Sequence, residues 1–222
     1  LYTLQYTEKE VLGMVESIND IEYCLLNELF THSKFRKKRL TKYLEYIQSS
    51  HSNNVEEILL AGNTNTYRGF YTDIKLVSNA DNPLVLVNKY YRLPNDYKPK
   101  YLKEVKNQYA IYGGIYLNYE TCFHFEKLCK DAENLGYSIF AASAFRDFDR
   151  QKTIYDCYVS YDGKTKADTY SARAGQSEHQ TGYAVDVQGS FGIYTDFAKT
   201  KEFFWMKRNA HKYGFILRYN IN

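Results

Sequence analysis

The sequence predicts an α+β protein in which helices pack on a small antiparallel sheet, with an N-terminal helical extension. Three observations point there. Apolar residues over the first fifty positions recur at helical spacing. Later in the chain, short apolar runs and capped helices are mixed without strict βαβ alternation. Between them, residues 62–83 are largely polar, with Gly69, two Asn-Thr pairs and a closing Asn-Pro, as a connection would be. The expected division is therefore 1–80, helical extension and linker, and 81–222, the second domain. At 44% apolar and 25% charged residues, with three prolines in 222, the chain is neither disordered nor collagen-like.

Thr7 and Glu10 have capping-box spacing and predict a helix to about residue 19. Ile21, Leu25, Leu26, Leu29 and Phe30 form one apolar face, and Leu40, Tyr43, Leu44 and Ile47 another. The basic run Lys34, Arg36, Lys37, Lys38, Arg39 is left over as a solvated face. Residues 84–87 are a short β-rich run, whereas 94–101, with two prolines, suit an extended arm. Phe123, Leu128, Ala132 and Leu135 predict a helix stopped by Gly136, followed directly by a strand over 137–143. Asp147 can cap a helix through Gln151, Ile154 and Tyr155. Thr200 can cap one carrying Phe203, Phe204, Met206 and Ala210 to Gly214. Residues 215–219 are the expected last strand.

Subtracting 26 acids from 29 bases leaves +3, too little to predict a nucleic-acid partner. No apolar run approaches the roughly 18 residues of a membrane helix. The four cysteines form no CxxC pair. Cys122 and Cys129, about 10 Å apart along one helix, are too far apart to bridge, so buried free thiols are expected. The 24 tyrosines and 13 phenylalanines could stack on sugar rings, but core and surface packing accounts for most. The chain begins with Leu1 and shows no signal peptide, which predicts an N-terminus removed or not included.

One segment stands apart: Ser177-Glu178-His179-Gln180-Thr181-Gly182-Tyr183-Ala184-Val185-Asp186. In extended geometry Tyr183, Val185 and Val187 point to the core side, and Ala184 and Asp186 to the open side. Gly182 permits a bend that returns His179 to Asp186. An imidazole and a carboxylate at one point suit zinc, whose catalytic sites take three protein ligands and keep one position open. A hydrogen-bonded His–Asp pair without metal is the plainer alternative.

The pattern Ser-x-His-x-x-Gly-x-Ala-x-Asp resembles the signature of zinc D-alanyl-D-alanine carboxypeptidases of the VanY type, whose relatives include D,D-dipeptidases and L,D-carboxypeptidases. Leu86-Val87-Asn88-Lys89 with Leu93-Pro94-Asn95-Asp96-Tyr97-Lys98-Pro99 resembles the opening segment of that family. Ser143-Ala144-Phe145-Arg146 with Gln151 resembles its substrate-binding turn, and Gly214-Phe215-Ile216-Leu217-Arg218-Tyr219 its penultimate strand. Together these cover residues 84–219. The resemblance implies a peptidase domain over 81–222, with His179 and Asp186 as zinc ligands. It also implies that Arg146, Gln151 and Ser177 contact substrate, Arg146 acting in catalysis too. Phe145 stands where the family has Tyr, and Asp147 where it has Ser.

Arg146 suits its implied role because a fixed guanidinium can hold a terminal carboxylate or a developing oxyanion. A surface salt bridge to Asp147 or Asp149 is the alternative. The family pattern closes with Glu-x-x-His, the general base and third ligand. It does not occur before Asn222, and Glu120 with His124, Arg208 with His211, His32 and His51 are unconvincing substitutes. His211 is better explained by a helix C-terminus. The expectation is that a continuation carries the missing motif. The resemblance thus implies a zinc enzyme removing terminal D-alanine from peptidoglycan stem peptides, exported to the bacterial envelope or beyond. The alternatives are a non-catalytic wall-peptide-binding module and a D,D-dipeptidase or L,D-carboxypeptidase.

Overall fold

The computed structural model describes residues 23–64, 68–190 and 194–218. The chain divides into two compact units, Leu1–Thr72 and Asp73–Asn222. The helix expected over 7–19 lies outside the described residues.

In the first unit, α1 (Tyr23–Thr31), α2 (Leu40–Ser50) and α3 (Val55–Thr64) share one core. The apolar face of α1, through Leu25, Leu26, Leu29 and Phe30, meets Leu40, Tyr43 and Ile47 of α2 and Ile58 and Leu59 of α3. The Tyr43 hydroxyl donates to Asn63 Oδ1 at 2.7 Å and accepts from Arg36 N at 3.1 Å. Part of the basic run is stitching rather than solvated surface. Arg39 Nη1 donates to the carbonyls of Gly62 and Asn63 at the end of α3, whereas Lys34, whose Nζ reaches Glu56 Oε2 at 2.7 Å, stays on the solvated surface as expected.

The second unit is α+β, as the sequence predicts, but its sheet is broken into short pairs. β1 (Lys75–Leu76) runs parallel to β2 (Tyr91–Arg92). β3 (Leu102–Glu104) is antiparallel to β4 (Tyr116–Asn118). β5 (Phe140–Ser143) is antiparallel to β6 (Asp186–Gln188), with an irregularity between Ala141 and Ser143. Between and around them lie α4 (Tyr119–Glu133), α5 (Phe148–Asp162), α6 (Lys164–Tyr170) and α7 (Lys201–Asn209). Asn118, Asp147 and Thr200 cap α4, α5 and α7 through their side chains. The core gathers Phe125, Leu128, Cys129 and Ala132 of α4 under Leu117, Ala141 and Trp205.

Two predicted strands are shortened or absent for one reason. At Gly136 (φ 78°), Tyr137 N donates back to Ala132 O and Gly136 N to Glu133 O. At Gly214 (φ 83°), Phe215 N donates to Ala210 O and Gly214 N to His211 O. Both are Schellman caps. Each cap takes the N–H that would open a strand, so β5 waits until Phe140, and 215–218 form no strand. Phe215 instead packs edge-on against Phe125 at 6.2 Å. The β-rich run at 84–87 is also corrected. Asn82 turns the chain by accepting from Val85 N at its carbonyl and from Leu84 N at Oδ1, so Val87 is buried while Leu84 is 89% exposed. Cys122 and Cys129 are buried free thiols, but Cys24 and Cys157 are exposed, contrary to expectation. Burial pushes the Cys122 thiol up to about 11.

Glu126 of α4 is buried against β3. Its carboxylate accepts from Lys106 N at 3.2 Å and pairs with Lys103 Nζ at 3.3 Å and Lys106 Nζ at 3.2 Å. Burial works to raise the Glu126 carboxyl, yet the hydrogen bonds from Lys106 and Lys103 hold it below its ordinary value. A depressed folded-state value stabilises the fold above the unfolded value of about 4.3, and that contribution disappears as pH falls through the folded value. Glu126→Gln should therefore unfold at lower denaturant at pH 7, by about 1–3 kcal/mol. The deficit should shrink below about pH 4, and an equal deficit at both pH values would remove the charge from this account.

Candidate active site

The signature segment is a tight turn followed by a strand, not a continuous extended run. Ser177 Oγ accepts from His179 N at 3.3 Å and so caps the 3-10 turn Glu178–Thr181. Thr181 Oγ1 donates to Glu178 O at 2.6 Å and accepts from Tyr183 N at 3.0 Å. Gly182 closes the turn with φ 75°. A Cβ there would lie 3.1 Å from Asn118 N and 3.3 Å from the side chains of Leu102 and Pro99. Glycine is thus required both by the left-handed backbone and by the close approach of β4, whose Asn118 N donates to Gly182 O at 2.9 Å. Beyond the turn the expected alternation appears: Val185 and Val187 pack on the core, while the Asp186 side chain is 49% exposed.

The glycine bend returns the imidazole to the carboxylate. His179 Nε2 lies 3.3 Å from Asp186 Oδ2. The other ring nitrogen, Nδ1, is 2.7 Å from Ala144 O. A carbonyl can only accept, so Nδ1 carries a proton; Nε2 then donates to Asp186 when the ring is protonated, or offers its lone pair to a metal ion when it is not. Burial acts to raise the Asp186 carboxyl, but hydrogen bonding and charge from His179, with the charge of Arg146, hold it below its ordinary value. Two donors each about 2.0–2.2 Å from a tetrahedral ion stand roughly 3.3–3.5 Å apart. The observed separation and the anchored tautomer fit a shared zinc ion. Among the described residues, no group of three His, Cys, Asp or Glu gathers at one point.

The end of β5 positions both partners. Ser143 pairs with Asp186, the next carbonyl holds the His179 ring, and Arg146 N donates to His179 O at 3.2 Å. Arg146, Gln151, Ser177, His179 and Asp186 all line one open cleft of about 2010 Å³. Gln151 is 2% exposed in the first turn of α5. Its Nε2 donates to Ala172 O at 2.7 Å, while its buried Oε1 meets no donor among the described residues. Asp147, despite replacing the family's Ser, performs the capping that places Gln151, accepting from Arg150 N at 2.8 Å.

Sequence reasoning missed two supports. Gln180, fully buried, donates through Nε2 to Pro94 O and Tyr97 O, tying the turn to the arm at 94–101. Asp168 receives Arg173 through Nε at 3.0 Å and Nη2 at 2.7 Å, and the Tyr155 hydroxyl at 2.7 Å. That network holds the loop whose Ala172 carbonyl anchors Gln151. The two prolines of the arm, Pro94 and Pro99, were the available signal for the first. The second has none, because an Asp and an Arg five apart form no recognisable pattern.

Several solved structures share this fold. The LdcB LD-carboxypeptidase, reported with the molecular basis of peptidoglycan recognition, is 35% identical, with TM-score 0.63 over 68% of this chain and 73% of that one. A vancomycin-resistance D,D-pentapeptidase VanY, solved with Zn(II), is 27% identical, with TM-score 0.51 over 64% of this chain and 78% of that one. The putative carboxypeptidase YodJ of Bacillus subtilis is 37% identical over 165 residues, which are 69% of this chain and 60% of that protein. The family described as VanY, D-alanyl-D-alanine carboxypeptidase, matches residues 114–222. The chain belongs to the VanY-type D-alanyl-D-alanine carboxypeptidase family. It spans 60% or less of the curated relatives it matches.

Gly182→Ala should lower stability by about 1–3 kcal/mol, from left-handed strain plus the contact with Asn118. Chemical denaturation measures this; an unchanged midpoint would show that the turn tolerates a side chain.

Proposed function

We propose that the protein is a zinc-dependent carboxypeptidase that removes the terminal D-alanine of peptidoglycan stem peptides. The observation that carries this reading is the His179 Nε2–Asp186 Oδ2 separation of 3.3 Å on an open cleft, with Nδ1 engaged by Ala144 O. His179 and Asp186 would hold the ion, which supplies Lewis-acid polarisation of the scissile carbonyl and activation of the attacking water. Arg146, on the same cleft, binds the peptide's terminal carboxylate or the negative charge that develops on the carbonyl oxygen. Gln151, which lines the same cleft and is held in place by its Nε2 donation to Ala172 O, is a second substrate contact. Ser177 sits at the floor and orients the His179 turn through its cap. Such an enzyme works at the cell envelope or outside the cell, where its substrate lies. No helix of the described residues is long and apolar enough to cross a membrane.

The higher structural likeness to an LD-carboxypeptidase than to a D,D-pentapeptidase favours a second reading, release of D-alanine from an L,D bond. Pentapeptide and tetrapeptide stems offered separately distinguish the two.

His179→Ala and Asp186→Ala should each lose zinc on dialysis, measured by elemental analysis. Full zinc content in either variant would falsify the ligand pair. Arg146→Ala should retain zinc while kcat/KM for D-alanine release falls about 10²- to 10³-fold; unchanged efficiency would remove Arg146 from the site. If neither stem is cleaved by the zinc-loaded protein, the wall-peptide-binding module remains.

A further inference from the structure

Outside the metal pair, the cleft rim carries an aromatic strip with no part in the chemistry above. Tyr101 and Tyr119 adjoin across the β3–β4 pair, where Tyr119 N donates to Tyr101 O at 2.9 Å. Tyr119 and Phe123 follow at i and i+4 on α4, a spacing that sets two side chains on one helix face. All three rings face water: Tyr101 is 72%, Tyr119 59% and Phe123 58% exposed. Tyr101 and Tyr119 line the same cleft as His179 and Asp186, and so do Asn118, Glu120 and His124 beside them.

Two of the rings are held rather than loose. Lys103 Nζ stands 5.9 Å from the Tyr119 ring centroid, and Lys103 is itself tied to Glu126. His124 meets Phe123 edge-on, with centroids 5.5 Å apart and planes at 84°. Exposed apolar surface next to a cleft marks a binding surface, and ordered rings offer contact area with little entropy left to lose. Exposed rings on adjoining backbone and on one helix face, with Glu120 and His124 beside them on the cleft as hydrogen-bond partners, match a chain of sugar rings with apolar faces and polar edges. A peptide terminus needs only the cleft floor.

We propose that Tyr101, Tyr119 and Phe123 form a binding strip for the N-acetylated glycan strand bearing the stem peptide. The substrate is then the polymer rather than a free peptide. This rests on the peptidoglycan reading, but the binding test does not depend on turnover. The protein is titrated with a β-1,4-linked N-acetylglucosamine tetramer by calorimetry or NMR. Wild type should bind it, and Tyr101→Ala/Tyr119→Ala should weaken binding at least tenfold. The rings are exposed, so the variant should keep its fold and its zinc content. D-alanine release from a glycan-free stem peptide should be unchanged, whereas release from intact sacculi should fall. No tetramer binding by wild type, as for a strip that docks a protein, or equal binding by the double variant overturns the proposal. Failure to cleave any stem peptide, with tetramer binding intact, overturns the peptidase reading alone.

Discussion

The hydrogen bond between His179 Nδ1 and the carbonyl of Ala144 governs the rest of the cleft. It selects the tautomer, sets the ring plane and joins the signature turn to the end of β5. Because β5 also pairs with Asp186 and leads into Arg146, one four-residue strand aligns three functional side chains. The pair is precise because its supports are backbone groups, which cannot rotate away as side chains do.

The strands are only two to four residues long, and isolated pairs of that size are not stable alone. Helix α4 compensates. It buries Phe125, Leu128, Cys129 and Ala132 beneath them, and Glu126 pins its flank to β3. Asn118 connects the two levels: its side chain caps α4 and its backbone N–H holds Gly182 O. Helix, sheet and site turn therefore meet at one residue.

Much of this was legible from residues alone. Capping by Asp147 and Thr200 and the stops at Gly136 and Gly214 follow from local chemistry, and the meeting of His179 with Asp186, seven residues on, follows from the bend at Gly182. What failed was competition for the same donors. Tyr137 and Phe215 look like strand openers, yet their N–H groups complete helix caps. Pattern reading counts side chains and does not see which carbonyl claims an amide first. Likewise, Gln180 resembles a spacer within the signature, and only long-range contacts to Pro94 and Tyr97 reveal it as a tie.

The cysteines carry a practical consequence. Cys122 and Cys129 lie within the core with their thiols held protonated, whereas Cys24 and Cys157 stand at the surface, one in each compact unit. Maleimide dyes would thus react at these two sites without mutagenesis, and each dye would report on the folding of its own compact unit.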